Sequence, residues 1–168
     1  SCIKYSGVNF MIFKINLKKL VTALLIPLAV GGLSSLITMG DTKIYKSLKT
    51  PPLSPPGIVF PIVWSVLYIL MGISLYLVMT KCDAYIDKRP AYVLFFVQLF
   101  LNFLWQPIFF GAKMYLTAFI ILILLFLSVV AMTVSFYKIS RLSALLQIPY
   151  IIWVAFAGYL NLGIVILN

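Results

Sequence analysis

Three groups of side chains in this chain could do chemistry, and none of them is an acid–base set. Phe60, Trp64, Tyr68 and Met71 recur at helical spacing, so their side chains would share one face. Gln98, Asn102, Trp105, Gln106 and Phe109 follow i, i+4, i+7, i+8 and i+11, a second stripe that combines amides with rings. Tyr150, Trp153, Ala157 and Asn161 make a third. Rings give area and stacking while amides and phenols orient polar edges, which suits a flat, largely apolar guest. The same stripes would serve as bundle core, with the amides as interhelical glue worth about 1 kcal/mol each. Spacing alone leaves both readings open.

What is missing narrows the chemistry further. The chain has no histidine and no glutamate, and its three acids are Asp41, Asp83 and Asp87, all outside the long apolar runs. No carboxylate pair, metal-ligand cluster or Ser–His–Asp arrangement can form within those runs. Proton pumps and ion-coupled transporters keep ionisable groups inside the bundle, and this chain has none there. No conventional catalytic constellation, metal site or required cofactor is therefore expected. Cys2 and Cys82 both map to the expected cytoplasmic side, where thiols stay reduced, and no disulfide is expected.

The elements that must position these stripes follow from composition. The chain has 168 residues, 64% hydrophobic and 10% charged, against about 25% charged in soluble domains. All 13 basic and 3 acidic side chains fall outside five uncharged windows: 20–40, 50–80, 90–112, 114–137 and 142–168. Each is long enough for the ~20 residues that cross ~30 Å of hydrocarbon. An all-α membrane protein is expected, a single five-helix transmembrane bundle over residues 20–168 behind an N-terminal segment of residues 1–19. Met11 is a candidate start of the natural chain. The first apolar run reads as a spanning helix and not as a cleavable signal. Lys4, Lys14, Lys18, Lys19, Lys81, Lys88, Arg89, Lys138 and Arg141 fall on one side, and Lys43, Lys46, Lys49 and Lys113 on the other. The positive-inside rule then puts the N-terminus in the cytoplasm and the C-terminus outside. The net charge of +10 is a topology signal, with membrane lipid as its partner and not nucleic acid.

In chain order, the first helix (about Leu20 to Met39) contains Pro27, expected to kink it, and Gly31-Gly32, which allow close helix approach. The longest connection follows, from Gly40 to Gly57. Five of the nine prolines lie between Pro51 and Pro61, so the path into the second helix (about Ile58 to Thr80) is stiff and could roof a pocket. Pro90 opens the third helix, which runs to about Gly111. Pro107 inside it frees the carbonyl of Phe103, which calls for a bend or another donor. The fourth helix (about Tyr115 to Tyr137) is almost uniformly aliphatic and reads as packing and lipid contact. The fifth, about Ser143 to Leu167, is expected to bend at Pro149.

At this point the residues resemble a known family. The order runs Tyr45-x-x-Leu48-x-x-Pro51, Pro55-Pro56, then Val63-Trp64-Ser65-Val66-Leu67-Tyr68 with Met71-Gly72. Later come Leu101-Asn102-x-x-Trp105-x-Pro107-Ile108-Phe109-Phe110-Gly111-Ala112, Pro149-Tyr150-x-x-Trp153-x-Ala155-Phe156 and Leu160-Asn161. This pattern is similar to the TspO/MBR family, the bacterial tryptophan-rich sensory proteins and the mitochondrial translocator protein. The resemblance implies a five-helix bundle, often a homodimer, that binds protoporphyrin IX and related flat ligands beneath the first loop. By matching position it implies a pocket of Tyr45, Pro55, Trp64, Tyr68, Asn102, Trp105, Gln106, Phe109, Phe110, Trp153 and Ala157. It also implies a bacterial cell membrane location and a role in sensing or regulating tetrapyrroles. One alternative it carries is light- and oxygen-dependent porphyrin breakdown using Trp64 and Trp153; another is porphyrin or lipid transport. The chain departs from the pattern at Ile44, where the family has tryptophan, and at Thr50, where it has lysine. Leu162 and Ile166 occupy the tyrosine and basic positions of the family's sterol motif, so sterol recognition is not expected there.

Overall fold

A computed structural model describes residues 15–38, 48–81 and 86–168. The described residues form helices and contain no strand: α1 (Leu17–Ile37), α2 (Val59–Thr80), α3 (Arg89–Gln106), a π-helical turn (Pro107–Gly111), α4 (Tyr115–Ile139), α5 (Arg141–Leu145) and α6 (Ile148–Leu167). Five stretches are long and apolar enough to span a membrane, from 21 residues in α1 to 27 across α5 and α6. The all-α, five-span architecture expected from composition is the one found. α1 packs chiefly on α2, α3 on α4, and α4 on α6.

Local chemistry explains where each element begins and bends. Asn16 caps α1: its side chain accepts from the Lys19 amide at 3.1 Å, while its own N–H donates to the Tyr76 hydroxyl of α2 at 3.1 Å. Pro27 sits buried inside α1 and frees the carbonyl of Ala23. Gly72 of α2 packs there: a Cβ at Gly72 would lie 2.9 Å from that carbonyl oxygen and 2.8 Å from the Leu24 Cα. Only glycine lets the two backbones approach so closely.

Pro107 has the consequence its position dictates. The Phe103 carbonyl it leaves free accepts from the Ser34 hydroxyl of α1 at 3.3 Å. The helix then widens into a π turn, with the Ala112 N–H donating to the Pro107 carbonyl at 2.9 Å. Pro149 behaves differently from expectation. It occupies the first turn of α6, and the break comes before it, at Leu146–Gln147, which separates the short α5 from α6. Pro149 has no N–H for the Leu145 carbonyl, so the chain restarts a helix instead of bending one.

The core lies where α2, α3, α4 and α6 meet. Phe95 stacks on Phe136, with centroids 6.4 Å apart, and Met71, Val78, Val129 and Met132 are fully buried. Reciprocal bonds between Ser74 and Ser143 fasten α2 to α5: each hydroxyl donates to the other's carbonyl, at 2.7 and 3.2 Å. Exposed Leu25, Phe96, Phe100, Leu127 and Ile152 form the outer, lipid-facing surface of the spans.

Candidate functional site

The site starts with an i, i+4 pair. Trp64 and Tyr68 stack one turn apart on α2, with centroids 5.7 Å apart at 29°, and both are buried. Tyr68 then anchors a buried polar chain. Its hydroxyl donates to Asn102 Oδ1 at 2.9 Å, and Asn102 Nδ2 donates to the Tyr150 hydroxyl at 2.8 Å. The Tyr150 hydroxyl in turn donates to Gln98 Oε1 at 2.8 Å. Trp64 presents its ring to the edge of Tyr150 at 6.1 Å. Three helices are thus cross-linked through side chains with every hydroxyl and both ends of the Asn102 amide partnered. A fully satisfied network of this kind rigidifies the core in low dielectric.

Beside this network lies a cavity of about 980 Å³. From α2 it is walled by Phe60, Trp64 and Tyr68, and from α3 and the π turn by Trp105, Gln106, Phe109 and Phe110. Ala157, Leu160, Asn161 and Ile164 of α6 close a third side, and Pro56, Gly57 and Ile58 contribute from the loop. The fourth wall is α1, through Leu28, Gly31, Gly32 and Ser35, with Thr38 just past its C-terminal end. α1 reaches it because Gly31 has no side chain: a Cβ there would sit 2.1 Å from the Tyr68 ring. Leu28, Gly32 and Ser35 of α1 and Pro61 and Ser65 of α2 are exposed and form a rim on that side. No charged side chain lines the cavity among the described residues.

The roof is held by α6. Pro51 is buried against Gly163, where a Cβ would meet the proline ring at 2.5 Å. The Tyr159 hydroxyl donates to the Pro52 carbonyl at 2.8 Å. The Lys49 N–H donates to Asn168 Oδ1 at 3.1 Å, and Asn168 Nδ2 donates back to the Lys49 carbonyl at 3.0 Å. Within this loop the Ser54 hydroxyl donates to the Pro51 carbonyl at 2.7 Å, closing a turn in which Leu53 takes φ 68°.

Of the residues singled out from sequence, Phe60, Trp64, Tyr68, Trp105, Gln106, Phe109, Phe110, Ala157 and Asn161 line this one cavity. Asn102 does not; it stands behind Tyr68 and holds it. Trp153 does not line it either: it packs edge-on against Phe60 at 5.9 Å, one ring removed from the space. Pro55 is half-buried beside the lining Pro56, and Tyr45 lies outside the described residues. The whole α1 wall was absent from the sequence reading of the pocket. The Gly31-Gly32 pair, which allows close helix approach, is the local signal for it.

The model of the TspO/MBR family matches residues 23–167. The chain belongs to this family. It is 37% identical over 142 residues to the tryptophan-rich protein TspO of Chlorobaculum tepidum, covering 84% of this chain and 90% of that protein. It is 42% identical over 128 residues to protein CrtK of Rhodobacter capsulatus, covering 74% and 78%. It is 39% identical over 118 residues to the human translocator protein, covering 70% of each chain. In this TspO/MBR membrane protein the rings of Trp64, Tyr68, Trp105, Phe109 and Phe110 line the cavity, and those of Tyr150 and Trp153 pack behind Trp64 and Phe60.

Proposed function

We propose that this TspO/MBR protein binds a porphyrin, protoporphyrin IX or a close analogue, in the cavity among α1, α2, α3 and α6, and acts as a sensor or regulator of tetrapyrrole handling. One observation carries the reading: a cavity of about 980 Å³ whose walls bring Trp64, Tyr68, Trp105, Phe109 and Phe110 around one space. That volume is at the upper end of small-molecule sites, about 300–1,000 Å³, and stacked rings suit a flat macrocycle. Titrating protoporphyrin IX into the purified protein should quench tryptophan fluorescence saturably. Ala157 is buried on the cavity wall, so Ala157→Leu should weaken binding about tenfold or more by filling space. Quenching that is non-saturable, or equal in Ala157→Leu, would count against a pocket ligand.

A second reading has its own support. Trp64 lies on the cavity wall and contacts both Tyr68 and Tyr150, an arrangement of oxidisable rings beside a bound guest. Light-dependent porphyrin breakdown in the presence of oxygen would then depend on Trp64 more than on Trp153, which sits behind Phe60. Illumination should bleach the porphyrin in the wild type and not in Trp64→Phe; equal bleaching in both removes this reading. The end of the bundle bearing Lys18, Lys19, Lys138 and Arg141 is assigned to the cytoplasm by its basic charge.

A further inference from the structure

Away from the cavity, the outer surface carries a groove of about 310 Å³ between α4 and α6. Leu122 and Val154, each 1% exposed, form its floor, and Phe119 and Phe126 of α4 form one side. On α6 the facing side is cut away at Ala155 and Gly158: a Cβ at Gly158 would meet nothing within 4 Å, so the space above it is open. Tyr159 and Leu162, both exposed, carry the groove to its roof-side end. Apart from the Tyr159 hydroxyl, its side-chain lining among the described residues is wholly apolar.

Register fixes the depth of this groove. At a rise of about 1.5 Å per residue, its α4 lining lies about 6–17 Å from Tyr115 and its α6 lining about 7–20 Å from Leu167. The groove thus pairs the first half of α4 with the second half of α6, whose end carries the roof, and falls in the roof-side leaflet of a ~30 Å hydrocarbon layer. The solvent at that depth is acyl chain, and an unfilled groove would forfeit dispersion contacts along its walls. A second copy of the chain fits less well. A helix is about 10–12 Å across, too wide for an opening of this volume. A stable protein interface also takes about 20–30 residues a side, against nine here.

One residue links the groove to the roof. The Tyr159 ring borders the groove, and Phe156 stacks on that ring with centroids 6.2 Å apart at 23°. The Tyr159 hydroxyl donates to the Pro52 carbonyl at 2.8 Å. Tyr159 is 42% exposed, so the ring is held at the angle of this bond by Phe156 and by whatever fills the groove.

We propose that the α4–α6 groove binds one acyl chain of a roof-side phospholipid, and that this chain, packed on Tyr159, keeps the Tyr159–Pro52 bond closed and the roof in place. Membrane lipid, and not the guest of the cavity, is the ligand of this site.

The test titrates the full chain, delipidated in detergent, with dioleoyl phosphatidylcholine that carries a diazirine midway along one acyl chain, and maps the photoadducts by peptide mass spectrometry. Adducts on residues 119–126 and 154–162 should exceed those at the exposed Leu25 and Phe100 by about fivefold, the preference of a packed site over open hydrocarbon. Gly158→Leu fills the groove and should cut this excess to less than about twofold. Ala155→Leu, at an exposed position on the same wall, should do the same and guards against a folding defect in the first variant; gel filtration checks both. Proteinase cleavage within residues 48–57 should slow about threefold as lipid is added to the wild type, because local opening falls when the latch is held. Glycerophosphocholine, the headgroup without chains, should not slow it. In Gly158→Leu and in Tyr159→Phe lipid should leave the cleavage rate unchanged, while Tyr159→Phe keeps the adduct excess because its ring remains. Uniform labelling, or an excess that survives both leucine variants, overturns the site. So does a dimer fraction that lacks the adducts carried by the monomer, which makes a second copy the occupant. Cleavage that lipid slows equally in the wild type and Tyr159→Phe, or in neither, overturns the link to the roof.

Discussion

Replacing Gly31 by alanine tests the geometry on which the cavity depends. The added methyl would lie 2.1 Å from Tyr68 Cε2 and 2.6 Å from its Cδ2 and Cζ. The ring would have to move by more than an ångström to reach ordinary contact. It is not free to do so: it stacks on Trp64, and its hydroxyl donates to Asn102 at 2.9 Å. Overpacking of this kind costs about 1–3 kcal/mol. Losing the hydrogen bond adds about 1 kcal/mol, and the better helix propensity of alanine returns about 1 kcal/mol. The expected net loss is about 1–3 kcal/mol, or about 2–4 °C in Tm for each kcal/mol in a chain of this size. Gly32→Ala is the control, because a Cβ there meets nothing within 4 Å. It should be neutral or more stable by up to about 1 kcal/mol. Thermal denaturation in detergent, with protoporphyrin IX titration alongside, reads both variants. If Gly31→Ala were as stable as Gly32→Ala and bound the probe unchanged, the packing of α1 against Tyr68 would be refuted.

Three other changes probe the supports of the site. Tyr150→Phe strands Asn102 Nδ2 and Gln98 Oε1 in the core and should cost about 1–3 kcal/mol in thermal denaturation; a cost below about 0.5 kcal/mol would mean the chain is not continuous. Ser34→Ala removes the donor to the Phe103 carbonyl freed by Pro107 and should lower stability by about 1 kcal/mol, whereas Ser35→Ala, exposed on the rim, should not. Gly163→Ala drives a methyl to 2.5 Å from the rigid Pro51 ring, so the roof should detach from α6. Faster proteinase cleavage within residues 48–57 is the expected result, and an unchanged cleavage rate would show that this contact does not hold the roof.

Much of this protein is written locally. Five uncharged windows fix five spans because a charge inside hydrocarbon is costly, and the apolar length needed is set by the bilayer. Proline positions marked the entry to α2, the start of α3 and the freed carbonyl at Phe103, since a missing N–H acts on its own turn. Helical periodicity also put Trp64 with Tyr68 and Asn102 with Trp105, as i, i+3 and i+4 neighbours must be.

What the tertiary structure alone decided is which polar groups find partners. Asn102 and Asn161 are both amides on apolar, ring-bearing faces, and nothing local separates them. Asn102 is satisfied by Tyr68, 34 residues away, and Tyr150, 48 away; Asn161 is satisfied by nothing in the described chain. In the same way Gly31 became part of a cavity wall through a ring on another helix, and Trp153 fell behind Phe60. Hydrogen-bond satisfaction and steric access depend on segments far apart in sequence, so they exist only once the helices have packed.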